Sequence, residues 1–218
     1  MNGPDNLIEE IFEQSDELTE KQKKIILAAI QSFAEKGYAS TSTSEIAKSA
    51  GVAEGTIFRH YKTKKDLLYS IIEPMLKKFI APFVIKDMEK VLNEKHASFE
   101  DFLRAMIENR ISFLSKNMLL FKILIQEIPF QPELKALFKE HIGTKVITRF
   151  TQVVEHYQEK GELIDAPPLT IIRLTASAIF GYLIVRNLLL PELDWDDQAE
   201  IDQTVQMIMH GIAVPKQA

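Results

Sequence analysis

The sequence predicts an all-α protein, a three-helix N-terminal head joined to a larger helical body, on three observations. Apolar residues recur three and four positions apart along almost the whole chain, the spacing that gathers them on one face of a helix, and strand-like alternation is missing. Glycine is sparse, with 8 in 218 residues. The hydrophobic share of 46% over that length suffices for a sizeable core.

Composition narrows the function. The chain has no cysteine, which removes disulfides, thiolate metal sites and a cysteine nucleophile and fits a reducing compartment, so the expected location is the cytoplasm. The first residues, MNGPDNLIEEIFEQSDELTE, carry acids where an export signal needs a basic start and an apolar run. The most apolar run, Ala178 to Val185, stops at Arg186, short of the roughly 20 residues that cross a bilayer, so no membrane partner is expected. The net charge of −5 is spread unevenly. Residues 1–18 hold six acids and no base, residues 19–65 nine bases and four acids, and residues 66–218 seventeen bases and twenty-one acids. A basic segment on an acidic body points to a polyanion that meets that segment alone. The expected division is an acidic extension 1–18, a basic domain 19–65 and a body 66–218 that opens with a connecting helix of about 66–93.

Taken in order, the first 18 residues leave two possibilities open, a short amphipathic helix through Leu7, Ile8, Ile11 and Phe12 or an unfolded arm. The first clear helix runs from about Thr19 to Lys36 with Ile26, Ala29, Ile30 and Phe33 on one face, and ends at Gly37, the usual residue for a left-handed stop. Ser42 to Glu45, STSE, is a capping-box pattern, so a second helix starts there with Ile46, Ala47 and Ala50 inward. Gly51 ends it. After a tight turn a third helix spans about Glu54 to Tyr61, with Ile57 and Tyr61 inward. A long fourth helix follows in which Pro74 and Pro82 each remove a backbone donor, so a kink or break is expected, a joint between head and body. Further helices are expected at about 98–115, 118–128, 132–160, 167–190 and 196–212, separated by SKN, IPFQP, KGELIDAPP and LPELDWDD.

Two short helices separated by a Gly-containing turn and braced by a longer one form the pattern of a helix-turn-helix, whose second helix enters the major groove. With Ile57 and Tyr61 inward, Gly55, Thr56, Phe58, Arg59 and His60 turn outward. Arg59 can pair with the two acceptors of guanine, worth roughly 1–3 kcal/mol of discrimination. The stretch TSTSEIAKSAGVAEGTIFRHYKTKKDLL resembles the DNA-binding signature of the tetracycline-repressor (TetR) family of bacterial transcription regulators, because IAKSAGV, GTIFRHY and Lys64 followed by DLL fall in register with the first helix and its Gly37-Tyr38 ending. The resemblance covers about Thr19 to Ile72. It implies Ser42, Thr43 and Ser44 as phosphate and base contacts, Gly55, Thr56, Phe58, Arg59 and His60 as the reading surface, and Lys64 as a phosphate clamp. It also implies a homodimer whose body binds a small molecule that controls operator affinity. The partners expected are double-stranded DNA, a small-molecule effector and a second copy, with no cofactor. Phe58 stands where the family usually has tyrosine, and Ala53 where it usually has serine, so one hydroxyl for phosphate is missing and so is a helix cap, the latter at about 0.5–2 kcal/mol.

Past about Leu92 there is no phosphate loop, paired metal ligand set or nucleophile elbow, His96, His141, His156 and His210 are scattered, and no catalytic residue or metal site is predicted. Small residues Thr175, Ala176, Ser177, Ala178 and Gly181 sit in an otherwise apolar helix, where they let another helix approach. With AEIDQTVQMIMHGI, this helix is the candidate dimer face, through Ala178, Gly181, Val185, Val205 and Ile208; an intramolecular core is the alternative. Phe113, Met118, Phe121, Ile125 and Phe150 could line an apolar chamber, with Arg110, Gln126, Glu127, Arg149 and Arg186 orienting a ligand, though such a stripe also suits a packed core. The function expected is a ligand-responsive DNA-binding repressor. Its rivals are an activator with the same DNA contacts and a helical carrier or enzyme with a vestigial head.

Overall fold

The computed structural model describes Ile8, Phe12, residues 18–80 and residues 98–212. In chain order its helices are α1 (Glu20–Lys36), α2 (Thr43–Ala50), α3 (Glu54–His60), α4 (Lys64–Pro74), α5 (Phe99–Lys116), α6 (Met118–Glu127), α7 (Pro132–Phe138), α8 (Thr144–Glu159), α9 (Pro168–Ile184) and α10 (Asp197–Ile212). No β-strand forms among the described residues. Wider π-type turns, Met75–Ile80, Lys139–Gly143 and Val185–Leu189, extend α4, α7 and α9. The contacts gather the chain into two compact units, Met1–Pro82 with Leu114–Ile142, and Phe83–Phe113 with Gly143–Ala218.

In the first unit, three helix starts are fixed by the same local device. Thr19, Ser42 and Thr63 each accept from the backbone three residues on, and Gln22, Glu45 and Asp66 reach back to the capping residue's own amide. Gly51 ends α2 in the left-handed conformation with φ 67°, where a Cβ would be strained. α1 packs on α2 and α4, and α2 on α3, around Phe33, Ile46, Ile57, Leu67, Leu68, Ile71 and Ile72. Burying each such side chain contributes roughly 1.5–3 kcal/mol. The predicted stripe of α1 is buried, and so are Ile25 and Ala28 beside it. A second buried face needs a second partner, and α6 supplies it by packing on α1. α7 packs on α4, where Glu133 accepts from Lys65 Nζ at 2.6 Å and from the Tyr69 hydroxyl at 2.9 Å. Ile8 is helical and 1% exposed, and Phe12 is helical and half-buried; Leu7 and Ile11 lie outside the described residues.

Pro74 closes the last α-helical turn of α4, and the chain runs on through the π-type turn rather than breaking there. Pro82 and the rest of the expected connecting segment, 81–93, lie outside the described residues. The single helix expected over 132–160 is interrupted, α7 and α8 being separated by the wider turn that ends at Gly143.

The second unit is built from α5, α8, α9 and α10. Phe99 packs edge-on to Tyr157 at 5.3 Å and lies 5.6 Å from Phe102, which meets Phe150 at 6.1 Å. Leu103, Ile107, Val153, Val154, Ile171, Ile179 and Leu183 complete this core. α5 is tied to α10 by Arg104 with Asp202 and by Gln206 donating to Glu100 at 3.2 Å. Gly161, at φ 73°, stops α8, and Pro168 opens α9 at a position where its missing N–H costs nothing. With its π-type extension, α9 runs over 22 residues, Pro168–Leu189, long and apolar enough to cross a membrane by length and composition, longer than the apolar run in the sequence suggested.

Candidate nucleic-acid interface

The head presents its polar surface through two corners. The first joins α1 to α2. Thr41 is 2% exposed, and its hydroxyl sits 2.9 Å from the Gly37 carbonyl and 3.1 Å from that of Ser32. Lys64, at the start of α4, crosses to the same corner. Its ammonium donates to the Tyr38 and Thr41 carbonyls, each at 2.7 Å, and stands 4.3 Å from the Tyr38 ring centroid. Lys36 pairs with Glu45 at 2.9 Å, and the Ser42 amide together with that lysine holds the Glu45 carboxyl down at about 2. Thr41 is therefore held through both its hydroxyl and its carbonyl, and Ser42, the residue before α2, through its amide on Glu45. Thr41 opens the stretch that carries the family resemblance, but its bracing role was not legible there, because the carbonyls its hydroxyl meets lie in α1 and just past its end.

The second corner joins α2 to α3. The Val52 amide donates to the Ala47 carbonyl at 3.0 Å, and the Thr43 hydroxyl to Glu54 Oε1 at 2.6 Å. Ala53 provides no side-chain cap, as its methyl group requires. Ile57 at 0% and Tyr61 at 7% exposure root α3 in the head, which turns Gly55, Phe58, Arg59 and His60 into solvent and leaves Thr56 half-buried. Arg59 bonds to no described residue, so its five donors are available to a ligand. Ser42 and Ser44 are exposed and Thr43 half-buried. The Thr43–Glu54 bond sets the start of α2 beside the start of α3, while Lys64 spends its short hydrogen bonds on the protein, so bracing the α1–α2 corner is the role its geometry shows.

The residues expected at a ligand chamber fall in both compact units. Met118, Phe121, Ile125 and Gln126 belong to the first compact unit, and Arg110, Phe113, Phe150 and Arg186 to the second. Gln126 is exposed, with its Oε1 3.7 Å from where a side chain on Gly37 would begin. Arg186 is taken up structurally, its Nε and Nη2 donating to Asp197 Oδ1 and Oδ2 at 2.5 and 2.8 Å. Tyr182 donates to the same carboxylate at 2.7 Å, and Trp195 packs edge-on against the Tyr182 ring. The Arg186 guanidinium holds the Asp197 carboxyl below its ordinary range, while burial and then that carboxylate push the Tyr182 phenol up. Sequence reasoning missed two polar atoms of the second unit: Asn109 Oδ1 and Thr175 Oγ1 are buried without a hydrogen-bond partner among the described residues. Nothing in their residue types marks them, since the orphaned state is set by packing.

The expected dimer face needs a correction. Val205 is 0% and Ile208 4% exposed within the single chain, because α10 turns Ile201, Val205 and Ile208 onto its own core. Outward lie Met207, 73% exposed, and on α9 Leu174, Ser177, Phe180 and Gly181, with Phe180 53% exposed. Ala178 and Val185 are half-buried at the edge of this surface.

Residues 25–71 match the family model described as bacterial regulatory proteins, tetR family. The fatty acid metabolism regulator protein of Bacillus subtilis is 38% identical over 95 residues, 44% of this chain and 46% of the relative, so the match spans under half of that protein. The HTH-type transcriptional regulator AcrR of Shigella flexneri is 25% identical over 88% of this chain and 89% of its own. Among solved structures, the transcriptional regulator FadR from Bacillus subtilis in complex with stearoyl-CoA superposes with a TM-score of 0.62 and 25% identity, over 87% of this chain and 98% of that one. These relatives are transcription regulators, not enzymes. A helix-turn-helix head with an exposed third helix, an all-helical body, and matches of both sequence and fold identify residues 25–71 as a TetR-family DNA-binding head, on a chain that resembles transcription regulators of that family along most of its length.

Proposed function

We propose that the chain is a homodimeric repressor that leaves a pseudo-palindromic operator when a fatty-acyl ligand occupies its body, and that it works in the cytoplasm. The observation that carries the DNA part is the rooting of α3 by Ile57 and Tyr61, which turns Arg59 and its neighbours outward together. Residues 19–65 would read the operator and 66–218 would bind the effector and the second copy. Two reading helices in successive major grooves stand about 34–36 Å apart. The exposed apolar surface of α9, with Met207 of α10, supports pairing, since a second copy would cover what is otherwise an unpartnered face. A fatty-acyl effector is supported by the stearoyl-CoA bound to the similar Bacillus subtilis regulator and by the apolar core of the second unit, where Asn109 and Thr175 could anchor a polar end. The effector can shift operator affinity only by its differential affinity for the bound and free states.

The test is binding of promoter duplexes over a salt series, with and without long-chain acyl-CoA. The proposal expects a steep salt slope, since phosphate contacts release counterions, and release of the duplex by the acyl-CoA. A shallow slope, or a complex untouched by acyl chains of every length, would overturn it. Arg59→Ala should flatten the base preference at one position of each half-site by a factor corresponding to roughly 1–3 kcal/mol.

A further inference from the structure

Between Ser42 and Lys65 the sequence has two acids, Glu45 and Glu54. Glu45 is closed off by the Ser42 amide and Lys36. Glu54 is different. It is the first residue of the reading helix, it is exposed, and its Oε1 is fixed by the Thr43 hydroxyl at 2.6 Å, while Oε2 bonds to no described residue. Beside it Gly55 carries no side chain, and a Cβ built there would meet nothing within 4 Å. One anchored and one open carboxylate oxygen therefore stand next to free space on the surface that turns Arg59 outward.

A carboxylate at such a place repels phosphate and lowers affinity for every sequence unless it finds a donor. In the major groove the donors are the exocyclic amines of cytosine and adenine. Adenine sets the N7 acceptor beside its amine, which a carboxylate cannot satisfy, whereas cytosine offers the amine alone. The Thr43 bond also fixes the direction of the side chain before DNA arrives, which reduces the ordering cost of the contact. We propose that Glu54 is a specificity-determining residue whose free carboxylate oxygen accepts from the amine of a cytosine, with Thr43 as its positioning residue. Thr43 then serves the base contact through Glu54 and its hydroxyl is not a phosphate ligand.

This rests on α3 being the groove helix, and the experiment separates the two. Full-length wild type, Glu54→Gln, Glu54→Ala and Thr43→Val are each used to select duplexes from a randomised library, with helical content checked by circular dichroism. Wild type should select cytosine at one position of each half-site. Glu54→Ala should lose that preference by about tenfold, and Glu54→Gln should move it to adenine, whose amine and N7 suit an amide. Thr43→Val should weaken the cytosine preference without moving it. If Glu54→Ala selects the wild-type sequences and changes only the overall affinity, Glu54 is a brace and the inference fails. A wild type that selects no duplex at all fails one step earlier, at the assignment of α3.

Discussion

Lys64→Met keeps the aliphatic stem and removes the ammonium that ties the Tyr38 and Thr41 carbonyls to the start of α4. A hydrogen bond to a charged group is worth about 1.5–3 kcal/mol, and a cation over an exposed aromatic ring about 0.5–1. Water can reach the freed carbonyls in this half-exposed corner, so the two hydrogen bonds together count near the lower figure. The expected loss is about 2–3 kcal/mol, which for a chain of this size lowers the thermal midpoint by roughly 4–12 °C. Thermal unfolding followed by circular dichroism measures it. A salt series on a selected duplex, read by fluorescence anisotropy, adds the second half. Because the ammonium's short bonds are internal, the variant should bind all duplexes more weakly by one factor, with the slope of affinity against salt unchanged. A lysine on phosphate would instead reduce that slope by about 0.9 per subunit. A midpoint within a degree of wild type, together with the shallower slope, would refute the bracing role.

Three further expectations concern the body and the acid limb. Arg186→Met should cost about 1–3 kcal/mol, since it strands the Asp197 carboxylate that Tyr182 also uses, and denaturant unfolding checks it. Phe180→Glu on the exposed face of α9 should turn a dimer into a monomer in sedimentation velocity without loss of helical content; a dimer that persists would move the interface elsewhere. Glu45 and Glu133 are both held at about 2, Glu45 first by the Ser42 amide and Glu133 first by Lys65. A depressed folded value means their contribution is complete above the ordinary value of 4.5 and is lost as pH falls towards 2. Glu45→Gln with Glu133→Gln should therefore flatten the fall of the thermal midpoint across that interval and leave the midpoint's slope near neutral pH as it was.

The head was legible because its signals are local. Capping boxes, Gly37 and Gly51, and the inward pair Ile57 and Tyr61 act within a few residues, so one sequence specifies them. What escaped depends on distant partners. Ile25 and Ala28 look like the flank of α1 until α6, some ninety residues later, packs there. Lys64 reads as a surface cation, and its direction is set by carbonyls more than twenty residues before it. α10 is apolar on more than one side, and periodicity alone does not say that Val205 and Ile208 meet their own chain while Met207 meets solvent. Arg186 had the composition of a ligand anchor until Asp197 arrived from the next helix.

The packing of α6 on α1 has a practical consequence for anyone wishing to isolate the DNA-reading part. A fragment cut shortly after α4 keeps every residue named for operator contact, yet it strips α1 of the helix that packs on its second apolar face and α4 of Glu133. Such a fragment would be sticky and loosely held, and weak binding by it would say little about the intact regulator. Grafting 114–142 behind it through a flexible tether would restore the missing cover and give a minimal reader worth titrating.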